Sequence, residues 1–149
     1  QRDKAVLVVV PDLTMAREYV VWGETIETLA ERYWPGPLTV VAQALPDSML
    51  AQGVVADDGT VAFRLTDHPM AQQLSQVLGK PVVSTSANIS QHKSPYSIDE
   101  VLAMFNSAEP KPDIIIDAGE LAHKSPSTIV KPVNGHIEVL RQGDLIVEL

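Results

Sequence analysis

The sequence predicts an α/β domain, a mixed and twisted sheet with flanking helices, and three observations carry that prediction. Ala5 to Val10 is a continuous apolar, Val-rich run ending at Pro11, the pattern of a strand buried on both faces. Thr60 to Leu65 alternates instead, with Val61, Phe63 and Leu65 on one face and Ala62 and Arg64 on the other. Strands and helix-period segments interleave early whereas the end is mainly strand, which favours a mixed sheet over a wholly parallel one.

Taken in order, Ala5 to Val10 should be an interior strand, and Thr14 can cap a short helix through Val20. Ile26, Leu29, Ala30 and Tyr33 fall at helical spacing, and Pro35-Gly36-Pro37 stops that helix. Strands follow at Leu38 to Ala44 and Thr60 to Leu65. Asp67 is a suitable N-cap and Pro69 fits the first turn of the next helix. Met70, Leu74, Val77 and Leu78 form its apolar stripe, and Gly79 its C-terminal stop. Pro81-Val82-Val83 is a short strand entering a polar loop from Ser84 to Ser94. Ser97 and Glu100 form a capping box ahead of Val101, Leu102 and Phe105. The remainder reads as strands at Asp113 to Ile116, Ser127 to Lys131 and His136 to Leu140, the last entered through an Asn134-Gly135 hairpin turn.

With 149 residues, 45% of them apolar, the chain has material for one buried core, and a single domain over residues 1–149 is expected. Eleven Lys and Arg against 19 Asp and Glu give a net charge of -8, which repels a phosphate backbone and disfavours a general nucleic-acid-coating role. No cysteine is present, so disulfides, thiolate metal ligands and a thiol nucleophile are excluded. The longest apolar run is far shorter than the ~20 residues of a membrane helix, so no membrane span and a cytoplasmic location are expected.

The most informative local stretch is Val82 to Ser90, where a buried strand ends in Ser84, Thr85, Ser86, Asn88 and Ser90. Hydroxyls and loop N–H groups at a strand end can hold phosphate oxygens, yet the same residue types are ordinary turn and cap formers, and spacing alone leaves both readings open. Arg64, inside an apolar strand, must either reach solvent or meet an anion. Arg141, at a later strand end, carries the same two readings, and its fork geometry suits a carboxylate or phosphate. The four histidines lack metal-ligand spacing, so no metal site is expected, and no P-loop or Gly-x-Ser-x-Gly elbow is present.

Several segments together resemble one family. Arg32-Tyr33-Trp34-Pro35-Gly36-Pro37-Leu38-Thr39, Val61 through Pro69, Gly79 through Ser90, Pro126 through Val130 and Leu140-Arg141-Gln142-Gly143 are similar, in order and spacing, to consecutive signatures of the YrdC/TsaC-type threonylcarbamoyl-AMP synthases. The resemblance covers nearly the whole chain. It implies a YrdC-like domain with a concave ligand pocket that uses L-threonine, bicarbonate and ATP as substrates. The product would be threonylcarbamoyl-adenylate with release of pyrophosphate, magnesium being expected on the phosphates. Partner enzymes would then transfer the threonylcarbamoyl group to a tRNA adenosine, making threonylcarbamoyladenosine. Arg64, Ser84 and Ser127 match threonine-side positions. Lys4, Thr60, Ser86, Asn88, Ser94 and Arg141 match nucleotide-side positions. No residue is assigned as a catalytic nucleophile, because the carbamate oxygen of the substrate itself attacks phosphorus.

The family's Pro-Thr-Glu-Thr-like opening motif and its Lys-x-Arg motif are not visible, which implies a fragment or an N-terminally incomplete domain. A further threonine-side position falls near Val9. The competing reading, from another class, is a non-catalytic RNA-binding module of the same fold, which the net charge disfavours. A carbamoyl-transfer domain of a hydrogenase-maturation protein is a third reading with no supporting motif here.

Overall fold

The computed structural model describes residues 6–51 and 53–149. Two compact units divide the chain: the first holds Gln1–Ser84 and Ser125–Leu149, the second Thr85–Lys124.

The first unit is a six-stranded mixed sheet. Its strands are β1 (Leu7–Val10), β2 (Leu38–Gln43), β3 (Thr60–Leu65), β4 (Val82–Val83), β5 (Thr128–Val133) and β6 (His136–Arg141), in the spatial order β4-β1-β3-β2-β5-β6. The β1/β3 and β2/β5 pairs are parallel and the other three antiparallel, the mixed sheet that the interleaving predicts. Asn134 and Gly135 close the β5/β6 hairpin with φ of 50° and 79°, the pair of positive values that a type I′ turn requires.

Alternation along these strands gives the sheet two different faces. Val8, Val10, Leu38, Val40, Ala42, Val61, Phe63, Leu65 and Val130 share one face and pack with Ala16, Val20, Ile26 and Leu29 into the main core. The helices covering it are α1 (Leu13–Tyr19) and α2 (Glu24–Tyr33). Trp34 ends α2 and is held in this core, its ring edge-on to Phe63 at 5.2 Å and its Nε1–H donated to the Leu38 carbonyl at 2.7 Å. Gly36 belongs to the same stop: a Cβ there would lie 2.6 Å from the Tyr33 carbonyl oxygen. The Trp-Pro-Gly-Pro run is thus the joint between α2 and β2.

Four expectations are corrected. The cap of α1 is Asp12, whose carboxylate accepts from the Met15 N–H at 2.8 Å, rather than Thr14. The cap position of α3 (Pro69–Leu78) is His68, with no side-chain cap bond, because Asp67 is drawn to another partner. The apolar stripe of α3 does not enter the core: Leu74, Val77 and Leu78 are 48%, 82% and 59% exposed, and its buried residue is Ser75, whose hydroxyl donates to the Lys80 carbonyl at 2.7 Å. Gly79 does end the helix, at φ 64° in the left-handed region.

The fourth correction lies in the second unit. Asp113 to Ile116 forms no strand, since it has no ladder partner among the described residues, and Ile114 and Ile116 are largely exposed. This unit's one helix is α4 (Ile98–Phe105), capped as expected by Ser97, whose hydroxyl accepts from the Glu100 N–H at 3.3 Å. Glu100 reaches back one residue further than a standard capping box, to the Tyr96 N–H at 2.6 Å.

Candidate functional site

The face of the sheet opposite the main core carries the polar residues. Arg64 is registered with Val9, and Val9 with Val82, so these three side chains project to one side. Ser84 keeps its N–H in the β4/β1 ladder, donating to the Leu7 carbonyl at 2.9 Å, and lies two residues beyond Val82 on the same side. Thr60 and Ala62 share that side by alternation along β3.

Arg64 is not a solvated strand residue. Its side chain is 22% exposed, its Nη2 donates to Asp67 Oδ1 at 3.0 Å, and its Nε–H is buried with no partner among the described residues. A buried donor without an acceptor costs about 1–3 kcal/mol, and an incoming oxygen would satisfy it.

Where β5 and β6 meet, a second cation is held by backbone. Arg141 donates from Nε and Nη2 to the Ser127 carbonyl at 3.1 and 2.8 Å, and from Nη2 to the Ser127 hydroxyl at 3.1 Å. The Ser127 hydroxyl also lies 2.8 Å from Thr39 Oγ1, and both hydroxyl residues are buried. Gly143 locks this junction: its N–H donates to Thr128 Oγ1 at 3.0 Å, and Thr128 donates in turn to the Leu145 carbonyl at 2.7 Å. Ser127 and Arg141, expected on different substrates' sides, are therefore direct neighbours.

Thr60 sits at the far end of β3 from Arg64. It is buried, and its hydroxyl donates to Asp58 Oδ1 at 2.6 Å, so that hydrogen is already committed and the oxygen remains only as an acceptor. That hydroxyl, then the Thr60 backbone N–H and the Lys131 ammonium at 3.2 Å, hold the Asp58 carboxyl below the ordinary carboxylate range.

In the second unit, Ser86 and Asn88 line a cavity of ≈ 540 Å³ together with Tyr96, Val101, Phe105 and Ile115. Asn88 donates its amide to the Ile89 and His92 carbonyls at 3.1 and 2.8 Å, while its Oδ1 is buried with no partner among the described residues. Ser94 lines a separate hollow with His92, Lys93 and Glu100. Lys4 lies outside the described residues.

Sequence reasoning passed over Thr39 and Asp67. A hydroxyl in the otherwise apolar run Leu38-Thr39-Val40-Val41 was the signal available for the first, since a buried strand hydroxyl needs a partner. For the second, an acidic residue three positions after a lone strand arginine was the signal.

The Sua5/YciO/YrdC family, described as "telomere recombination", matches residues 1–143. The chain belongs to that family. A threonylcarbamoyl-AMP synthase of Escherichia coli O1:K1 / APEC is 33% identical over 147 residues, covering 95% of this chain and 72% of the relative. A threonylcarbamoyl-AMP synthase of Pyrococcus abyssi is 37% identical over 126 residues, covering 84% of this chain but 35% of the relative. A Methanocaldococcus jannaschii relative is 30% identical over 146 residues, and the chain spans 66% of its length. Among solved folds of the Sua5/YciO/YrdC family, P. abyssi Sua5 complexed with L-threonine superposes with a TM-score of 0.84 at 29% identity, covering 97% of this chain and 42% of that one. Escherichia coli YciO, at 21% identity and a TM-score of 0.80, shares the fold.

Proposed function

We propose that this chain carries out threonylcarbamoyl-AMP synthesis from L-threonine, bicarbonate and ATP, with release of pyrophosphate, as a step in making threonylcarbamoyladenosine on tRNA. The observation that carries the reading is the sheet face bearing Arg64 with an unpaired, buried Nε–H, in a chain whose relatives are named for this synthesis. P. abyssi Sua5, similar throughout this chain, was solved with L-threonine.

In the proposed reaction the neutral threonine amine forms a bond to the bicarbonate carbon as one C–O bond breaks, so that a carbamate forms and a water molecule leaves. A carbamate oxygen then forms a bond to the α-phosphorus of ATP as the bond to the bridging oxygen breaks, and pyrophosphate leaves with that electron pair. The protein has no covalent step to perform. Its task is to hold two anions that repel each other, for which cations and fixed donors suffice. Arg64, Ser84 and Ser127 are assigned to threonine, its carboxylate meeting the Arg64 guanidinium. Thr60, Ser86, Asn88, Ser94, Arg141 and Lys4 are assigned to the nucleotide.

Magnesium is expected on the phosphates of ATP. Among the described residues no group of three or more His, Cys, Asp or Glu stands together. The family match runs through both units, which supports treating them as one domain. No helix among the described residues is long and apolar enough to cross a membrane, and a cytoplasmic setting goes with the proposed tRNA pathway and its downstream transfer enzymes.

The test is pyrophosphate release from ATP by the chain expressed from its natural start codon. Release that requires both L-threonine and bicarbonate is expected. Release indifferent to either substrate, or none above a boiled control, would overturn the reading. Steeply salt-sensitive RNA binding with no threonine effect would transfer it to the RNA-binding alternative.

A further inference from the structure

We infer that Asp67 is a positioning residue for the amino-acid carboxylate, holding the Arg64 guanidinium so that its unpaired Nε–H is presented to the ligand. The inference rests on the reading of Arg64 as the threonine anchor.

Three observations lead to it. Asp67 precedes the first turn of α3, where an aspartate at the cap would satisfy free N–H groups for about 1 kcal/mol. It makes no such bond. His68 occupies the cap position without a side-chain bond, and the Asp67 carboxylate accepts from Arg64 Nη2 at 3.0 Å instead. The helix thus forgoes a stabilising cap in favour of a contact with the one cation on the strand, a local departure of the kind expected where function competes with stability.

The turn carrying Asp67 is itself fixed. Thr66 is buried, its hydroxyl accepts the His68 N–H at 3.2 Å, and its carbonyl accepts the Gln72 amide at 2.7 Å. The carboxylate consequently reaches Arg64 from a rigid base rather than from a loose loop. Finally, Asp67 engages only Nη2. The adjacent Nε–H is buried and has no partner among the described residues, so that donor is left for a carboxylate oxygen while rotation about the terminal bonds is restrained. A long arginine side chain left unpinned would lose that orientation and pay rotamer entropy on binding.

The experiment measures calorimetric affinity for L-threonine and for L-threoninamide, which lacks the carboxylate, in the wild type, Asp67→Ala and Asp67→Glu. Wild type is expected to prefer the acid over the amide. Asp67→Ala should weaken threonine about tenfold and compress the acid/amide preference by a similar factor, with ATP affinity unchanged, and Asp67→Glu should restore part of the preference. An Asp67→Ala variant that keeps the wild-type acid/amide ratio, or binds threonine more tightly, overturns the positioning role while leaving the function intact. If wild type binds neither ligand, the threonine-anchor reading itself fails. The ratio is internal to each variant, so a general loss of stability does not mimic the expected result.

Discussion

Arg141 grips Ser127 through both its carbonyl and its hydroxyl, and that hydroxyl in turn lies 2.8 Å from Thr39. Residues separated by 88 positions in sequence are thereby tied into one polar chain across β2, the start of β5 and the end of β6, in which Thr39 and Ser127 are buried and Arg141 is exposed. Its hydroxyl pair is costly to half break, because Thr39 and Ser127 are both buried and each then lacks water as a substitute partner.

The first prediction follows directly. Ser127→Ala should destabilise the protein by about 1–3 kcal/mol, the cost of stranding a buried hydroxyl, here that of the fully buried Thr39. Adding Thr39→Val, which removes the stranded group at nearly constant shape, should recover part of the loss. Urea midpoints of the two single variants and the double variant check this. A double variant as unstable as the sum of the singles would show that the two hydroxyls do not depend on each other.

A second prediction concerns the glycine beside this junction. A Cβ on Gly143 would stand 2.2 Å from the Pro126 carbonyl oxygen and 2.8 Å from the Thr128 nitrogen, both backbone atoms that cannot swing aside. Gly143→Ala should therefore cost roughly 2 kcal/mol or more, in the range of overpacked interiors, and lower the melting temperature accordingly. Gly135→Ala, with open space around its Cβ but a φ of 79°, should also destabilise, through backbone strain rather than collision.

The strands were legible in the sequence because their signal is local: Val-rich runs and the Val61, Phe63, Leu65 alternation depend only on neighbours a few residues away. Where the sequence misled, a distant partner decided the outcome. Asp67 has the chemistry of a cap, but a cation three residues back outcompetes the helix N–H groups for it. The apolar run at Asp113 to Ile116 has strand composition, yet a strand exists only where another supplies the ladder, and none does. Met70, Leu74, Val77 and Leu78 have the right period for a buried stripe, but α3 meets the sheet through Ser75 instead. For the site, Arg64 and Arg141 stood out as cations in apolar strands. Their fixing partners, Asp67, Ser127 and Thr39, are ordinary residue types whose roles appear only once register and turn geometry place them.

The third prediction is a pH dependence centred on Asp58. Hydrogen bonds from the Thr60 hydroxyl and backbone N–H, then the Lys131 ammonium, stabilise its charged form and lower its pKa in the fold from the ordinary 3.8. A depressed folded-state pKa contributes stability that is present above 3.8 and is lost as pH falls through the lower folded value. Asp58→Asn should therefore flatten the acid limb of a stability-against-pH curve below that point, with little change in slope near neutrality. Because the carboxylate is exposed, the effect should shrink in high salt. Parallel acid limbs for variant and wild type would remove Asp58 from the account.

The remaining prediction bears on the proposed substrate. If the Arg64 guanidinium receives a desolvated carboxylate, Arg64→Ala should weaken L-threonine by ~2 kcal/mol or more, about thirtyfold, because a charge-assisted pair is lost and the ligand's charge is left without its partner. Arg64→Lys should recover only part of this, since an ammonium offers a point charge where the fork offered two parallel donors. ATP affinity measured on the same variants should change far less, as Arg64 is assigned to the amino acid alone. The result to watch is the threonine titration. An unchanged dissociation constant in Arg64→Ala would mean that the buried Nε–H faces no ligand, and the amino acid would then have to be held by groups other than the strand arginine.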